Sequence, residues 1–445
     1  MEYFLLNSEC YFVKGALRGA IYNSHTGKIL SLDPQLTQII GKSESGTPLK
    51  KIPEYFNYKE MAEAALTQLK KMDIGRFYDR YYRIEKLKPA ITRNHSLEAD
   101  LPVIAACYIE LTNSCNLDCV FCNSNTYKVN RITGCKRFPN NFKSAAQKKI
   151  SVHQWKEIIK NCKYLGCRKL IFIGGEPLLE KESFIQLAEY ARTVNIEDIV
   201  LFTNGLLIDD SVIAILKKYN VHPMIQVYSH SGKMTDSITR KTGTHNMLEK
   251  SLMLLQKNDI SFSLNLVIME KYSDHYEKTS EYLKKFNPVK IFKSYIHPTT
   301  KPNGNGKNNG YYMNICRKNP NDIFPGSLPK EEFYLNCERN HCWFGKIAVT
   351  ENGEILPCPL ARKETIGNIL DNDFWDITDK QNLSPYWNMS RDRIEVCKDC
   401  EYRFFCRDCR PLEKSTSTTN QLNQRTNYCL YNPYTGEWGD KKNGK

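Results

Sequence analysis

Three cysteines stand within eight residues, in Cys115-Asn116-Leu117-Asp118-Cys119-Val120-Phe121-Cys122, directly after an apolar run that ends at Glu110-Leu111. A loop of that length wraps one small site with three thiolates, and thiolates are the usual ligands of iron–sulfur clusters. Three protein ligands on a four-iron cluster leave one iron open to an outside molecule. A structural zinc ion wants a fourth Cys or His, and none lies nearby in the sequence.

A second field of cysteines lies far downstream. Cys337 and Cys342 are followed by Cys358, then by Cys397-x2-Cys400, Cys406-x2-Cys409 and a final Cys429. Eight thiols suffice for two complete four-thiolate clusters. Cys-x2-Cys pairs are equally usual zinc ligands, so zinc ribbons stand beside iron–sulfur clusters as a reading of this field alone. Of the remaining cysteines, Cys107 sits inside a strand pattern as a small core residue, Cys162 and Cys167 flank a helix end, and Cys10, Cys135 and Cys316 complete the set of 17.

Between the two fields, Gly174-Gly175-Glu176-Pro177 ends an apolar run. Glycines at a strand end let backbones approach closely, and a carboxylate there accepts hydrogen bonds from an ammonium. Read alone, the tetrapeptide is a turn before a helix. Thr203-Asn204-Gly205 closes the next run, Ser229 closes the one after, Arg240 follows 11 residues later, and Asn265 lies on a fifth run. Singly, Ser229 reads as a strand-end residue and Arg240 as a surface charge.

The elements that must position these residues fall into three regions. Residues 1–95 open with strand-like segments, YFLLNSECYFVKG and GAIYNSHTGKILSL with a turn at His25-Thr26-Gly27, followed by helical patterns over Asp33–Ile40 and Tyr58–Met72. This is a small α+β unit of winged-helix proportions, and Lys88–Leu101 reads as a linker. Residues 102–300 alternate strands with helices. The strands are Ile104–Glu110, Lys169–Ile173, Ile199–Thr203, Met224–Ser229, Phe262–Ile268 and Lys290–Ile296; the helices lie near Ser151–Leu165, Lys181–Val194, Asp210–Tyr219, Thr244–Lys257 and Ser273–Phe286. Ser151 and Gln154 have capping-box spacing. Such alternation implies an α/β fold with a parallel sheet, and a partial barrel places functional loops at the strand C-termini. Lys301–Gly310 reads as a flexible loop, and residues 311–433 as a cysteine-rich domain dependent on metal.

The chain of 445 residues carries 41% hydrophobic and 25% charged residues and a mean hydropathy of −0.52, as globular proteins do. No run of 18 apolar residues and no signal peptide are visible, which predicts a cytoplasmic protein without a membrane span. In that compartment clustered cysteines bind metal or do redox chemistry. The net charge of +14 admits nucleic acid, an anionic surface or an acidic peptide. Its lysines and arginines are spread along the chain, which argues against a polyanion-binding tail and for no nucleic-acid partner.

Cys-x3-Cys-x2-Cys with an aromatic residue, Phe121, before the last cysteine resembles the signature of the radical S-adenosylmethionine (SAM) enzymes. Gly174-Gly175-Glu176-Pro177, Asn204, Ser229, Arg240 and Asn265 resemble that family's cofactor-contacting motifs. The resemblance implies a partial (β/α)6 barrel in which Cys115, Cys119 and Cys122 hold a [4Fe-4S] cluster whose open iron chelates S-adenosylmethionine. The downstream cysteines resemble the SPASM auxiliary-cluster domain. By that likeness Cys337, Cys342, Cys358 and Cys409 hold one [4Fe-4S] cluster, and Cys397, Cys400, Cys406 and Cys429 another. The two residues between Cys406 and Cys409, where that pattern usually has three, are a departure.

The opening segment is similar to maturases of ribosomally synthesised and post-translationally modified peptides, some of which capture the precursor's leader on a winged-helix-like unit. The stretch Tyr228-Ser229-His230 with Asp236 and Arg240 resembles them too. The expected function is a radical SAM/SPASM peptide maturase, an oxidoreductase-type enzyme installing a thioether or carbon–carbon cross-link in a precursor peptide. A flavodoxin or ferredoxin would supply electrons. A sulfatase-maturase-like enzyme forming formylglycine and a non-enzymatic metal-binding regulator are the alternatives.

Overall fold

A computed structural model describes residues 2–87, 101–120, 122, 149–268, 275–295, 327–406, 409–416, 421–425, 429 and 431–439. Phe121, Cys135, Cys316 and the loop 301–310 lie outside these. The chain divides into two compact units, one formed by Met1–Ala99, Met313–Phe344 and Trp387–Lys445, the other by Asp100–Tyr312 and Gly345–Tyr386.

In the first unit the first expected N-terminal segment splits in two, and the second divides at the turn that the sequence marks. The strands are β1 (Tyr3–Leu6), β2 (Cys10–Lys14), β3 (Gly19–Asn23), β4 (Ile29–Leu32) and β5 (Gly75–Tyr78). β2, β3 and β4 form an antiparallel sheet, and β1 pairs with β5. The helices Pro34–Glu44 and Lys59–Lys71 cover a core built on Phe4, Leu6, Ile21, Ile39, Ile40 and Leu66. The other face of β2–β3 does not end in solvent. Val13, Ala20 and Tyr22 pack with Phe333, Tyr334 and Phe404 of the C-terminal segments, with Tyr22 and Phe333 stacked at 5.1 Å.

The second unit is built on an open nine-stranded sheet, ordered β11-β10-β9-β8-β7-β6-β12-β13-β14. Its parallel strands are β6 (Ala106–Thr112), β7 (Lys169–Gly174), β8 (Asp198–Thr203), β9 (Val221–Val227), β10 (Ser263–Ile268) and β11 (Ile291–Tyr295). They lie side by side in chain order, as six alternating strands and helices predict. The sheet does not close into a barrel. It continues past β6 through β12 (Lys346–Val349), β13 (Glu354–Leu356) and β14 (Gly367–Asn368), three strands within the cysteine-rich stretch that local pattern did not predict.

Period-two alternation sets the two faces. Ala106, Tyr108, Ile171, Ile173, Val200, Phe202 and Met224 cluster on one, while Cys107, Ile109, Leu170, Phe172, Ile199 and Leu201 are buried on the other, where Phe172 meets Phe184 of the helix Lys181–Thr193 edge to face. The first crossover helix, Val152–Tyr164, starts on the expected capping box: Ser151 Oγ accepts from Gln154 N and Gln154 Oε1 from Ser151 N. The C-terminal part of the first unit adds the helix Lys330–Glu338 and the hairpin β15 (Tyr431–Asn432) and β16 (Glu437–Trp438).

Candidate functional site

The loop after β6 carries the first cysteines, and the glycine pair at the end of β7 holds it. Gly175 N donates to Thr112 O and Glu176 N to Ser114 O, both at 2.8 Å. A Cβ on Gly174, whose φ is +149°, would meet Thr112 O at 2.1 Å, and one on Gly175 would meet Ser114 O at 2.1 Å. No side chain fits between these backbones, so the two glycines are a steric requirement of the approach. From the other side, Val120 N donates to Ile238 O at 2.9 Å, and Asp118 N to Thr239 O at 3.3 Å. The loop is pinned at both ends.

The helix that pins it, Gly232–Thr239, was not anticipated from sequence. Ser231 caps its start, and Arg240, in the left-handed conformation (φ 54°), ends it. That geometry turns the Arg240 side chain to the cysteine loop, where it pairs with Asp118 at 3.3 Å. Lys241 Nζ reaches Asn116 O at 3.5 Å. Two cations therefore hold residues of the cysteine loop.

Cys115, Cys119 and Cys122 are half-buried and electrostatically coupled to one another. Burial pushes the Cys115 thiol up to about 11 and the Cys119 thiol to about 12. These groups become thiolates at neutral pH only against the charge of a metal, whose binding releases their protons. Three soft thiols without a fourth Cys or His in the loop fit a four-iron cluster with one open position. Tyr228, buried, places its hydroxyl 3.8 Å from Cys119 Sγ, and Asn204 Nδ2 lies 3.9 Å from Cys115 Sγ.

The residues expected at the cofactor mostly organise the strand ends. Glu176 is fully buried; Oε1 accepts from Thr203 Oγ1 at 2.7 Å and Leu178 N at 3.1 Å, and Oε2 from Asn204 N at 2.8 Å. Burial raises its carboxyl above the ordinary range, against the pull of these donors. Pro177 opens the short turn that Glu176 caps. Asn204 donates to Asn116 Oδ1 at 2.7 Å, tying the end of β8 to the cysteine loop. Ser229 lies two residues beyond β9, which ends at Val227, and its Oγ accepts from Ser231 N at 3.0 Å. Asn265 Oδ1 accepts from Ser294 Oγ at 2.6 Å, joining β10 to β11. Asp236 accepts from Gly243 N at 2.7 Å and from His245 N at 3.3 Å, and His230 Nδ1 meets Thr279 Oγ1 at 2.9 Å. Asn116 and Asp118 are the contacts that motif reading passed over, because their partners come from strands and helices about a hundred residues away.

The downstream cysteines divide between the units. Cys358 belongs to the second; Cys337, Cys342 and Cys409 belong to the first, where burial pushes the Cys337 thiol up to about 12. Cys397, Cys400, Cys406 and Cys429 are all in the first unit and act on one another electrostatically: Cys397 with Cys429, and Cys400 with Cys406 and Cys429. A single buried guanidinium, Arg391, donates to Cys397 Sγ at 3.4 Å and Cys406 Sγ at 3.5 Å. Thiols around a buried cation fit a site made for negatively charged sulfur.

Comparison with known proteins places two family domains on the chain. The model of the radical SAM superfamily matches residues 109–283, and that of the SPASM iron–sulfur cluster-binding domain matches residues 337–401. The chain carries a radical SAM domain and a SPASM domain. Together these domains imply S-adenosylmethionine and several [4Fe-4S] clusters. An AdoMet-dependent heme synthase of Methanosarcina barkeri is 22% identical over 356 residues, which span 73% of this chain and 95% of that protein. Among solved structures, Streptococcus suis SuiB bound to its precursor peptide SuiA matches with a TM-score of 0.54 and 15% identity, covering 96% of this chain and 99% of that one. The native anSMEcpe with bound AdoMet matches at 0.56 and 20%, covering 75% and 95%. The radical SAM and SPASM chain shares its fold with both. Among its described residues, no helix is long and apolar enough to cross a membrane.

Proposed function

We propose that this chain is a peptide maturase that installs an intramolecular cross-link, a thioether or a carbon–carbon bond, in a ribosomally made precursor peptide. Cys115, Cys119 and Cys122 would hold the cluster, which with S-adenosylmethionine would supply the hydrogen-atom-abstracting 5′-deoxyadenosyl radical chemistry. The remaining roles belong to the chain. Gly175, Asn204 and the helix Gly232–Thr239 hold the cysteine loop in place. The Arg240–Asp118 pair is exposed on both sides, and such a pair is worth at most about 1 kcal/mol. Its guanidinium is therefore readily exchanged to the carboxylate of S-adenosylmethionine, with Ser229 as a hydroxyl contact. Cys397, Cys400, Cys406 and Cys429 would hold an auxiliary cluster, the acceptor for the second electron that leaves the peptide, together with a proton, as the cross-link closes.

The observation that carries this reading is the extent of the SuiB likeness. About 4% of the chain, roughly 18 residues, falls outside it, so most of residues 2–87 lie inside the match. Their sheet β2–β4 has an edge on which an extended leader peptide adds a strand. A flavodoxin- or ferredoxin-type donor supplies the electron.

The test is a search for a short open reading frame beside the gene, then anaerobic reconstitution of the full chain with iron and sulfide and incubation with reductant, S-adenosylmethionine and the peptide so found. The expected product is 5′-deoxyadenosine together with a peptide lighter by two hydrogens. A peptide whose cysteine or serine has become formylglycine shifts the assignment to a sulfatase-type maturase. Absence of 5′-deoxyadenosine from the fully loaded protein sinks both.

A further inference from the structure

We infer that Arg391 is a positioning residue that sets the reduction potential of the auxiliary cluster held by Cys397, Cys400, Cys406 and Cys429, raising it. The inference rests on the reading that these four cysteines are one ligand set. Arg391 lies in the short turn Arg391–Arg393 and is 7% exposed. Its two terminal nitrogens divide between thiols from different loops, Nη1 to Cys397 and Nη2 to Cys406. Glu413 Oε1 stands 3.6 Å from Arg391 Nη2 and is itself buried. Arg410, fully buried, pairs with the same carboxylate and donates to Leu422 O at 2.7 Å and Gln424 O at 3.1 Å. Two buried guanidinium groups thus share one carboxylate.

A buried cation is stabilised by negative charge placed beside it. Thiolates bound to iron supply it. One-electron reduction adds a negative charge to such a cluster, and a cation in a low-dielectric setting favours the reduced state. Hydrogen bonds to the ligating sulfurs act in the same direction and are among the factors that set cluster potentials. Arg391 brings both to two ligands of one site, whereas the thiols of Cys115 and Cys119 are approached by the neutral groups of Asn204 and Tyr228. The consequence is a site that takes up an electron more readily than it would without the guanidinium.

The experiment is an anaerobic potentiometric titration with dithionite, followed by electron paramagnetic resonance. It uses the full chain carrying Cys115→Ala, Cys119→Ala and Cys122→Ala, so that only auxiliary signals remain. Cys397→Ala added to this background identifies the signal that belongs to the Arg391 site. If no signal disappears, the ligand assignment fails, and the inference with it. With the signal identified, Arg391→Gln is expected to move its midpoint to more negative potential by at least tenfold in the reduction equilibrium, about 59 mV for one electron. Arg391→Lys, which keeps the charge and loses the fork, falls between. Glu413→Gln removes the anion beside the guanidinium and is expected to move the midpoint the other way, so the prediction survives if Arg391→Gln fails to load. The other auxiliary signal stays in place throughout. An unmoved midpoint in Glu413→Gln together with either Arg391 variant overturns the inference.

Discussion

At the scale of single residues, the site depends on what is missing as much as on what is present. Gly175 is the sharpest case, because the carbonyls of Ser114 and Asn113 would stand 2.1 and 2.8 Å from its Cβ. Both are backbone atoms of the segment that leads into Cys115, so relief requires the cysteine loop itself to move. Gly175→Ala is expected to lose the iron bound by Cys115, Cys119 and Cys122, and with it cofactor cleavage, while iron at the downstream cysteines remains. Iron and sulfide counts on the variant, beside the triple cysteine variant, check this. Full iron content and parental cleavage would show that the loop has slack that the geometry denies. Glu176 complements the glycines. Its carboxylate takes three donors at the ends of β7 and β8, and Glu176→Gln turns one acceptor oxygen into a donor facing another donor. A loss of about 1–3 kcal/mol in stability is expected, read as a lower urea midpoint of the reconstituted protein.

At the scale of elements, much of the second unit is legible in the amino-acid sequence. Apolar runs bounded by Gly, Asn and Asp mark its strands, and the residues that end its helices are the reason. The helices ending at Tyr164, Thr193 and Lys257 all close through left-handed residues, Gly166, Asn195 and Asp259. In each the following amide reaches back to the last turn, as when Ile196 N donates to Ala191 O at 2.9 Å. Asn195→Gly is expected to leave stability unchanged or slightly raised, and Asn195→Val to cost about 1–2 kcal/mol or more; equal urea midpoints for the two variants would contradict the cap. The misses are equally physical. Pro223 argues against a central strand, so the pattern starts that strand at Met224, yet β9 begins at Val221. The proline is accommodated because pairing with β10 starts only at Met224. β12–β14 were invisible because two- to four-residue strands carry almost no periodicity, and β12 pairs with β6 across some 240 residues of chain. Beside Pro223, His222 contacts Ser263 Oγ at 2.9 Å, and burial, then Lys169, lower its pKa below the ordinary value of 6.5. A histidine depressed in the folded state contributes stability that is present above about 6.5 and lost as the pH falls through the folded value. Between pH 7.5 and 5.5 the urea midpoint of the parent is expected to drop more than that of His222→Gln, and parallel profiles would exclude this role.

At the scale of the molecule, the two units are not the three consecutive blocks that composition draws. Residues 2–87 share a unit with the segments around the downstream cysteines, and the contacts are of core quality. Tyr22 is 2% exposed, stacks on Phe333 and donates its hydroxyl to Glu401 O at 2.9 Å. Ala16 N donates to Asp399 O at 2.7 Å, and Arg403 Nη1 to Lys14 O at 2.8 Å. The segment Asp399–Arg403, which contains Cys400, is thereby fastened to the sheet β2–β4. A leader-binding appendage with its own stability would leave the cysteine-rich segments intact when removed. This arrangement predicts the opposite: deleting residues 1–87 exposes the apolar faces of Phe333, Tyr334 and Phe404 and takes away the hydrogen bonds that fix the Cys400 loop. The truncated chain is expected to aggregate, or to lose iron at the downstream cysteines while iron at Cys115, Cys119 and Cys122 persists. Tyr22→Ala in the full chain is expected to cost about 3–5 kcal/mol, as large aromatic truncations in cores do, and to lower auxiliary iron occupancy in proportion. Tyr22→Phe keeps the stacked ring and loses only the bond to Glu401, so it should retain most of that stability. Soluble truncated protein with its full downstream iron content would show that residues 2–87 are a detachable module, and that the shared core is a docking face rather than part of the fold.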